Sequence, residues 1–251
     1  MASVADRLHE VRARIAAAER ASGRAPGSVT LVAVSKTKPV EAIEEAYAAG
    51  QRDFGENYAQ EFERKAKALA HLPDLRWHFI GHLQRNKAKI VAEHAHTFHT
   101  LDTPALALEL QKRLTAANRT LDVLAEVNVS REVQKHGATP AALRALLEAC
   151  IPLTRLVLRG FMTVPPADDD LATEAAFRAL ADLAHQHAAS FPSSALLSMG
   201  MSDDLAIAIA CGATHVRIGT AIFGARANVA AAPEDAPSEQ NLRMLSPRED
   251  S

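Results

Sequence analysis

Val29-Thr30-Leu31-Val32-Ala33-Val34-Ser35-Lys36 is a β-type run that ends in a lysine, and Thr37-Lys38-Pro39 follows it as the start of a helix. The same unit recurs along the chain. β-type runs at 30–35, 53–56, 76–80, 97–101, 121–129, 156–164, 195–199 and 215–219 alternate with helical segments. Thr103-Pro104 and Thr139-Pro140 each read as an N-cap with proline at the first helical position, while Gly50 and Gly212 stand where C-caps are expected. Eight alternations with short connections predict a single α/β (β/α)8 TIM barrel, in which helices cover a closed parallel sheet. A doubly wound open sheet is the rival, since it uses the same alternation.

The chain has 251 residues, 48% of them hydrophobic, enough for one large core. Residues 4–21 carry Val4, Leu8, Val11, Ile15 and Ala18 at helical spacing and predict an amphipathic N-terminal helix. The barrel with this helix is expected over 1–226. The stretch 227–251, rich in Ala, Pro, Glu and Ser, reads as a disordered tail. With 28 basic against 30 acidic residues, no electrostatic footprint for nucleic acid or an anionic membrane exists. No apolar run is long enough to span a bilayer. Cys150 and Cys211 have no paired spacing, and the N-terminus lacks the apolar core of a signal peptide, so a cytoplasmic location is expected.

Reactive groups of a barrel gather at the C-terminal ends of its strands, and phosphate is often held after strands seven and eight. A lysine at the end of an apolar strand is partly desolvated, which frees its amine to attack a carbonyl; Lys36 is therefore either a Schiff-base lysine or a lysine snorkelling at a strand end. After the seventh run, Ser198-Met199-Gly200-Met201-Ser202-Asp203-Asp204 opens a helix. Its amides and the Ser202 hydroxyl either face an anion or cap that helix. Arg217-Ile218-Gly219-Thr220 closes the eighth run. There Gly219 allows backbone to approach phosphate and Thr220 adds a hydroxyl, whereas Arg217 taken without them reads as a surface or strand-end ion pair. Asn57 either bonds a ligand or caps a helix, His82 either lines the mouth or bonds local backbone, and Phe161 and Met162 either pack on a planar ring or belong to the core. His78, His82, His94, His96 and His99 lie close in sequence but lack a zinc-type spacing. No Gly-x-Ser-x-Gly nucleophile elbow is present.

Six blocks carry a more specific signal. They are Val32-Ala33-Val34-Ser35-Lys36-Thr37, Phe54-Gly55-Glu56-Asn57-Tyr58, the stretch His78-Phe79-Ile80-Gly81-His82-Leu83-Gln84-Arg85-Asn86-Lys87, Gly160-Phe161-Met162-Thr163, Leu197-Ser198-Met199-Gly200-Met201-Ser202, and Val216-Arg217-Ile218-Gly219-Thr220-Ala221-Ile222-Phe223-Gly224. Together and in this order they resemble the YggS/PROSC family of pyridoxal 5'-phosphate (PLP) homeostasis proteins. The resemblance implies a barrel like the N-terminal domain of alanine racemase, with PLP in Schiff-base linkage to Lys36. It implies that Ser202, Gly219 and Thr220 hold phosphate, that Arg217 faces the pyridine nitrogen, and that Asn57 lies near the ring, with His82 and Met162 at the same site.

Arginine stays protonated, so Arg217 beside the pyridine nitrogen makes the ring a poorer electron sink than an acid would. Racemases of this fold take a second acid/base from a tyrosine of another domain, and the only tyrosines here are Tyr47 and Tyr58. The expectation is a PLP carrier or buffer without turnover, with apo-PLP enzymes as recipients. A PLP-dependent amino-acid racemase or lyase is the alternative, and an interaction scaffold the third.

Overall fold

The computed structural model describes residues 2–130, 136–166 and 169–225; the expected tail at 227–251 lies outside them. Eight strands form one closed barrel in sequence order. They are β1 (Thr30–Val34), β2 (Asp53–Glu56), β3 (Arg76–Phe79), β4 (Thr97–Leu101), β5 (Leu121–Glu126), β6 (Leu156–Met162), β7 (Leu196–Ser198) and β8 (His215–Ile218). Every neighbouring pair is parallel, and β1 pairs with both β2 and β8, which closes the ring and excludes the open sheet. The helices between them are α2 (Val40–Ala48), α3 (Ala59–Ala68), α4 (Ala88–His94), α5 (Pro104–Ala116), α6 (Pro140–Cys150), α7 (Asp170–Gln186) and α8 (Leu205–Ala210). Helix α1 (Val4–Ala21) precedes the barrel, and the short α9 (Thr220–Phe223) follows β8.

The expected punctuation forms. The Thr103 and Thr139 side chains accept hydrogen bonds from Leu106 N and Ala142 N, each with proline in the first turn behind it. Gly50 N donates to Tyr47 O and Gly212 N to Ile209 O, which closes α2 and α8. Two strands end two or more residues earlier than the sequence suggests, and four others end one residue earlier. After Glu126 the chain leaves β5 and bridges Val127 to Ala138 instead of continuing to residue 129. Strand β6 stops at Met162 because Val164 runs into Pro165-Pro166, which lack the N–H groups a ladder requires.

Side chains of a strand alternate between the barrel's lumen and the helices outside. The outward set joins the helices in one apolar cluster that contains Leu31, Phe54, Trp77, Phe79, Phe98, Val123, Phe161 and Val216. Phe62 of α3 sits within it, edge-on to Trp77 at 5.6 Å between ring centroids and 5.7 Å from Phe79. Helix α1 adds Val4, Leu8, Val11, Ile15 and Ala18 to the same cluster. Its buried Glu19 is tied down by Val29 N, Gly27 N and the Ser28 hydroxyl, which fixes the entry into β1. Both cysteines are buried and free; burial pushes the Cys150 thiol up to about 11, so neither serves as a nucleophile at neutral pH.

Candidate active site at the barrel mouth

The closing strand pair decides which residues meet. Val32 stands opposite Arg217 and Ala33 opposite Ile218. The next segments along each chain, Ser35-Lys36 and Gly219-Thr220, therefore leave the barrel side by side at its C-terminal end. A Cβ added to Gly219 would come within 3.2 Å of Val34 O, so glycine lets the backbone after β8 lie close to the segment that carries Lys36 without pushing it aside.

Lys36 is half-buried, and its neighbours are held from below. Ser35 Oγ donates to Glu56 Oε1 at 2.6 Å, and Lys65 Nζ of α3 donates to Ser35 O and to Glu56 Oε1, both at 2.7 Å. Lys65 also reaches Glu61 Oε1, and that oxygen accepts from Thr37 N at 2.6 Å. Thr37 adopts a left-handed φ of 63°, a conformation that a β-branched residue rarely holds. The Lys65 network holds it there. Burial pushes the Glu56 carboxyl up even though Lys65 opposes the shift.

Arg217 lies inside the lumen, 6% exposed, and its partners are neutral. Nη1 donates to Ser198 Oγ at 2.8 Å and Nη2 to Thr163 O at 3.0 Å. Among the described residues Arg217 forms no strand-end ion pair. Burial draws its pKa down to about 10, still well above neutrality, so the guanidinium stays charged.

Asn57 follows β2 and caps nothing: the N-cap of α3 is Tyr58, without a side-chain hydrogen bond. Its Oδ1 is buried and has no hydrogen-bond partner. Such an atom is costly to leave unmade and marks a place where a ligand donor fits. Its backbone is locked from the next loop, since a Cβ on Gly81 would lie 2.0 Å from Asn57 O, and Gly81 O in turn accepts from Thr100 Oγ1. Ser202 is not a cap either. The N-cap of α8 is Asp204, and its carboxylate accepts from Met201 N instead of facing outward. Ser202 O accepts from Arg14 Nη2 at 2.6 Å, which ties this loop to α1.

Met162, at the end of β6, is buried outside the apolar cluster and pairs in register with Glu126 and Ser198. His82 is exposed at the mouth, 3.7 Å from Asp102 Oδ2 and stacked on His136 at 4.3 Å. Sequence reasoning missed Glu126. This buried carboxyl at the end of β5 has an Oε2 without a partner, and burial, with Asp102 adding to it, raises its pKa to about 7. An acidic residue ending an otherwise apolar strand was the available signal.

A lysine, a cation buried in the lumen, an unsatisfied amide oxygen and a glycine-threonine turn follow or end neighbouring strands at one end of the barrel, a set whose amine and charges suit an anionic aldehyde such as a phosphorylated one. The family model for the alanine racemase N-terminal domain matches residues 7–227. A pyridoxal phosphate homeostasis protein of Pseudomonas aeruginosa is 48% identical over 227 residues, which cover 90% of this chain and 97% of that protein. The chain belongs to the pyridoxal phosphate homeostasis protein family. Among solved structures of similar proteins, PipY of Synechococcus elongatus with PLP bound is 38% identical at a TM-score of 0.77, covering 88% of this chain and all of that one. Alanine racemase of Corynebacterium glutamicum shares 16% identity at a TM-score of 0.60 over 90% of this chain and 63% of its own, a likeness of fold alone. Membership in the homeostasis family agrees with the six sequence blocks, all of which lie within the matched residues.

Proposed function

We propose that this member of the pyridoxal phosphate homeostasis family binds PLP as a Schiff base on Lys36 and acts as an intracellular carrier or buffer of that reactive aldehyde. The observation that carries this reading is the β1–β8 junction, whose register brings Lys36, Arg217, Gly219 and Thr220 to one end of the barrel. The bound form of PipY supports the choice of ligand.

When bound, PLP supplies an aldehyde for imine exchange and a ring that withdraws electrons. The chain's own residues limit the reactions open to it. Arg217 donates and keeps its proton, so a ring nitrogen placed against it would receive a hydrogen bond instead of a charge. Gly219 and Thr220, with Ser202, would hold the phosphate. Asn57 would lie beside the ring, Met162 would pack against it, and His82 would border the entrance. Apo-PLP enzymes are the natural recipients, because imine exchange releases PLP without any carbon–hydrogen cleavage.

The test is direct. The purified protein should show a visible absorption band that borohydride abolishes, and peptide mapping should then place the pyridoxyl adduct on Lys36. An adduct on Lys38 or Lys87 would overturn the assignment; Lys38 Nζ already donates to Gly224 O and Ala225 O.

The alternative, a racemase or lyase acting on amino acids, has Glu126 on its side, since a carboxyl with a pKa of about 7 can exchange protons at neutral pH. Incubation with L-amino acids in deuterated water separates the two. Sustained α-proton exchange would favour the enzyme, and restoration of an apo-enzyme without exchange would favour the carrier.

A further inference from the structure

Beneath Arg217 a line of buried polar side chains crosses the lumen. Ser198 Oγ lies 2.8 Å from His99 Nδ1, His99 Nε2 lies 2.9 Å from His78 Nδ1, and His78 Nε2 lies 2.9 Å from Asp53 Oδ1. Arg76 closes the line from outside, with Nε 2.8 Å from the same Asp53 oxygen. These residues come from β2, β3, β4 and β7, and His99 and Ser198 are fully buried. His215 packs against both imidazoles at 6.1 Å between centroids.

We propose that Asp53, His78, His99 and Ser198 form a positioning relay for Arg217, with hydrogen bonds that all run in one sense, from the Ser198 hydroxyl to the Asp53 carboxylate. The sense is set by the two ends. Arg217 only donates, so Ser198 Oγ accepts from it and its own hydrogen is left for His99 Nδ1. At the far end, burial opposes ionisation of Asp53, but hydrogen bonds from His78 and Arg76 hold its carboxyl well below the usual range, and a carboxylate only accepts. His78 Nε2 must then carry a hydrogen. His99, kept neutral by burial, takes the Ser198 hydrogen at Nδ1, so its own hydrogen sits on Nε2 and is donated to His78 Nδ1. Every donor meets an acceptor in this arrangement.

A doubly protonated His78 would reverse both bonds on its Arg217 side and leave the Ser198 hydroxyl hydrogen without a place in the line. The relay thus couples the tautomer of two histidines to the hydroxyl that aims a guanidinium. It rests on the PLP reading only for its consequence at the cofactor.

The decisive measurements use 15N-labelled protein free of PLP. Long-range proton–nitrogen correlations should show His78 and His99 as neutral Nε2–H tautomers at neutral pH. An Nδ1–H tautomer of either residue would overturn the proposal. Arg217 Nη signals should be resolved and slow to exchange. Rotation of that group should speed up about tenfold or more in Ser198→Ala and return toward the original rate in Ser198→Thr. An unchanged rate in Ser198→Ala would also overturn it. If that variant fails to fold, His99→Phe serves instead, with at least a threefold acceleration expected and an unaltered rate counting against the relay. In the PLP-loaded protein, Ser198→Ala should weaken PLP binding about three- to tenfold, with Ser198→Thr restoring it; equal affinity in Ser198→Ala and the parent would remove the positioning role. Failure of the parent protein to bind PLP would overturn the cofactor reading alone, because the tautomers and rotation rates are read without it.

Discussion

The two faces of the same eight strands obey opposite rules. Outside, between strands and helices, Phe54, Trp77, Phe62, Phe79 and Phe98 touch in turn in a continuous apolar layer held by area and shape. Inside, one residue away along each strand, stand Asp53, His78, His99, Ser198, His215 and Arg217, held by directed hydrogen bonds. The outer layer tolerates exchange of one apolar group for another of like volume. The lumen does not, since each buried polar atom needs its own partner. Stability and chemistry are thus divided by the pleat of the sheet.

Substitutions can sharpen or break this division. The largest effect is expected in the outer layer, where Phe62→Ala removes a fully buried ring that touches Trp77, Phe79 and His94. A loss of about 3–5 kcal/mol in denaturant unfolding is expected. A loss under about 1 kcal/mol would mean that the layer collapses around the cavity and that the two faces differ less in what holds them.

The mouth should behave in the opposite way. Thr220→Ala or Ser202→Ala removes one hydrogen bond to a charged ligand, roughly 1.5–3 kcal/mol, and should raise the Kd for PLP about tenfold or more while leaving the unfolding midpoint of the PLP-free protein in place. Equal affinity in both variants would move the phosphate site elsewhere.

The smallest effect is expected as a pH slope. Below its ordinary value of 4.5 Glu126 is protonated in both folded and unfolded chains and contributes nothing. Between that value and about 7 the unfolded chain releases the proton while the folded one keeps it, so stability falls as pH rises through this window. The fall should be on the order of 1–2 kcal/mol, since water reaches the mouth, and Glu126→Gln should flatten it. An identical slope in both proteins, measured by urea unfolding at a series of pH values, would show that Glu126 is not the group responsible.

Much of the barrel was legible in the chain itself. The strand at Val29–Ser35, its seven repeats and the caps at Thr103, Thr139, Gly50 and Gly212 are local signals, because alternation, capping and chain reversal depend on residues a few positions apart. The site was legible in part. Lys36, Arg217 and the Gly219-Thr220 turn declared themselves because each ends a strand, where a barrel exposes its reactive edge.

What the sequence could not decide is which strand-borne polar residues meet. His78 and His99 were visible only as members of a histidine-rich stretch, and nothing local says that one faces Asp53 and the other Ser198, 99 positions downstream. Closure of β8 onto β1 decides it, since the shared register turns separate strand positions into neighbours across one lumen. The same closure buried Arg217 beside a hydroxyl instead of pairing it with a carboxylate, and left Asn57 Oδ1 and Glu126 Oε2 without partners. Hydrophobic period is written along the chain and fixes which face of a strand is inward; the pairing of polar groups across the barrel depends on distances between strands, which exist only once the ring has closed.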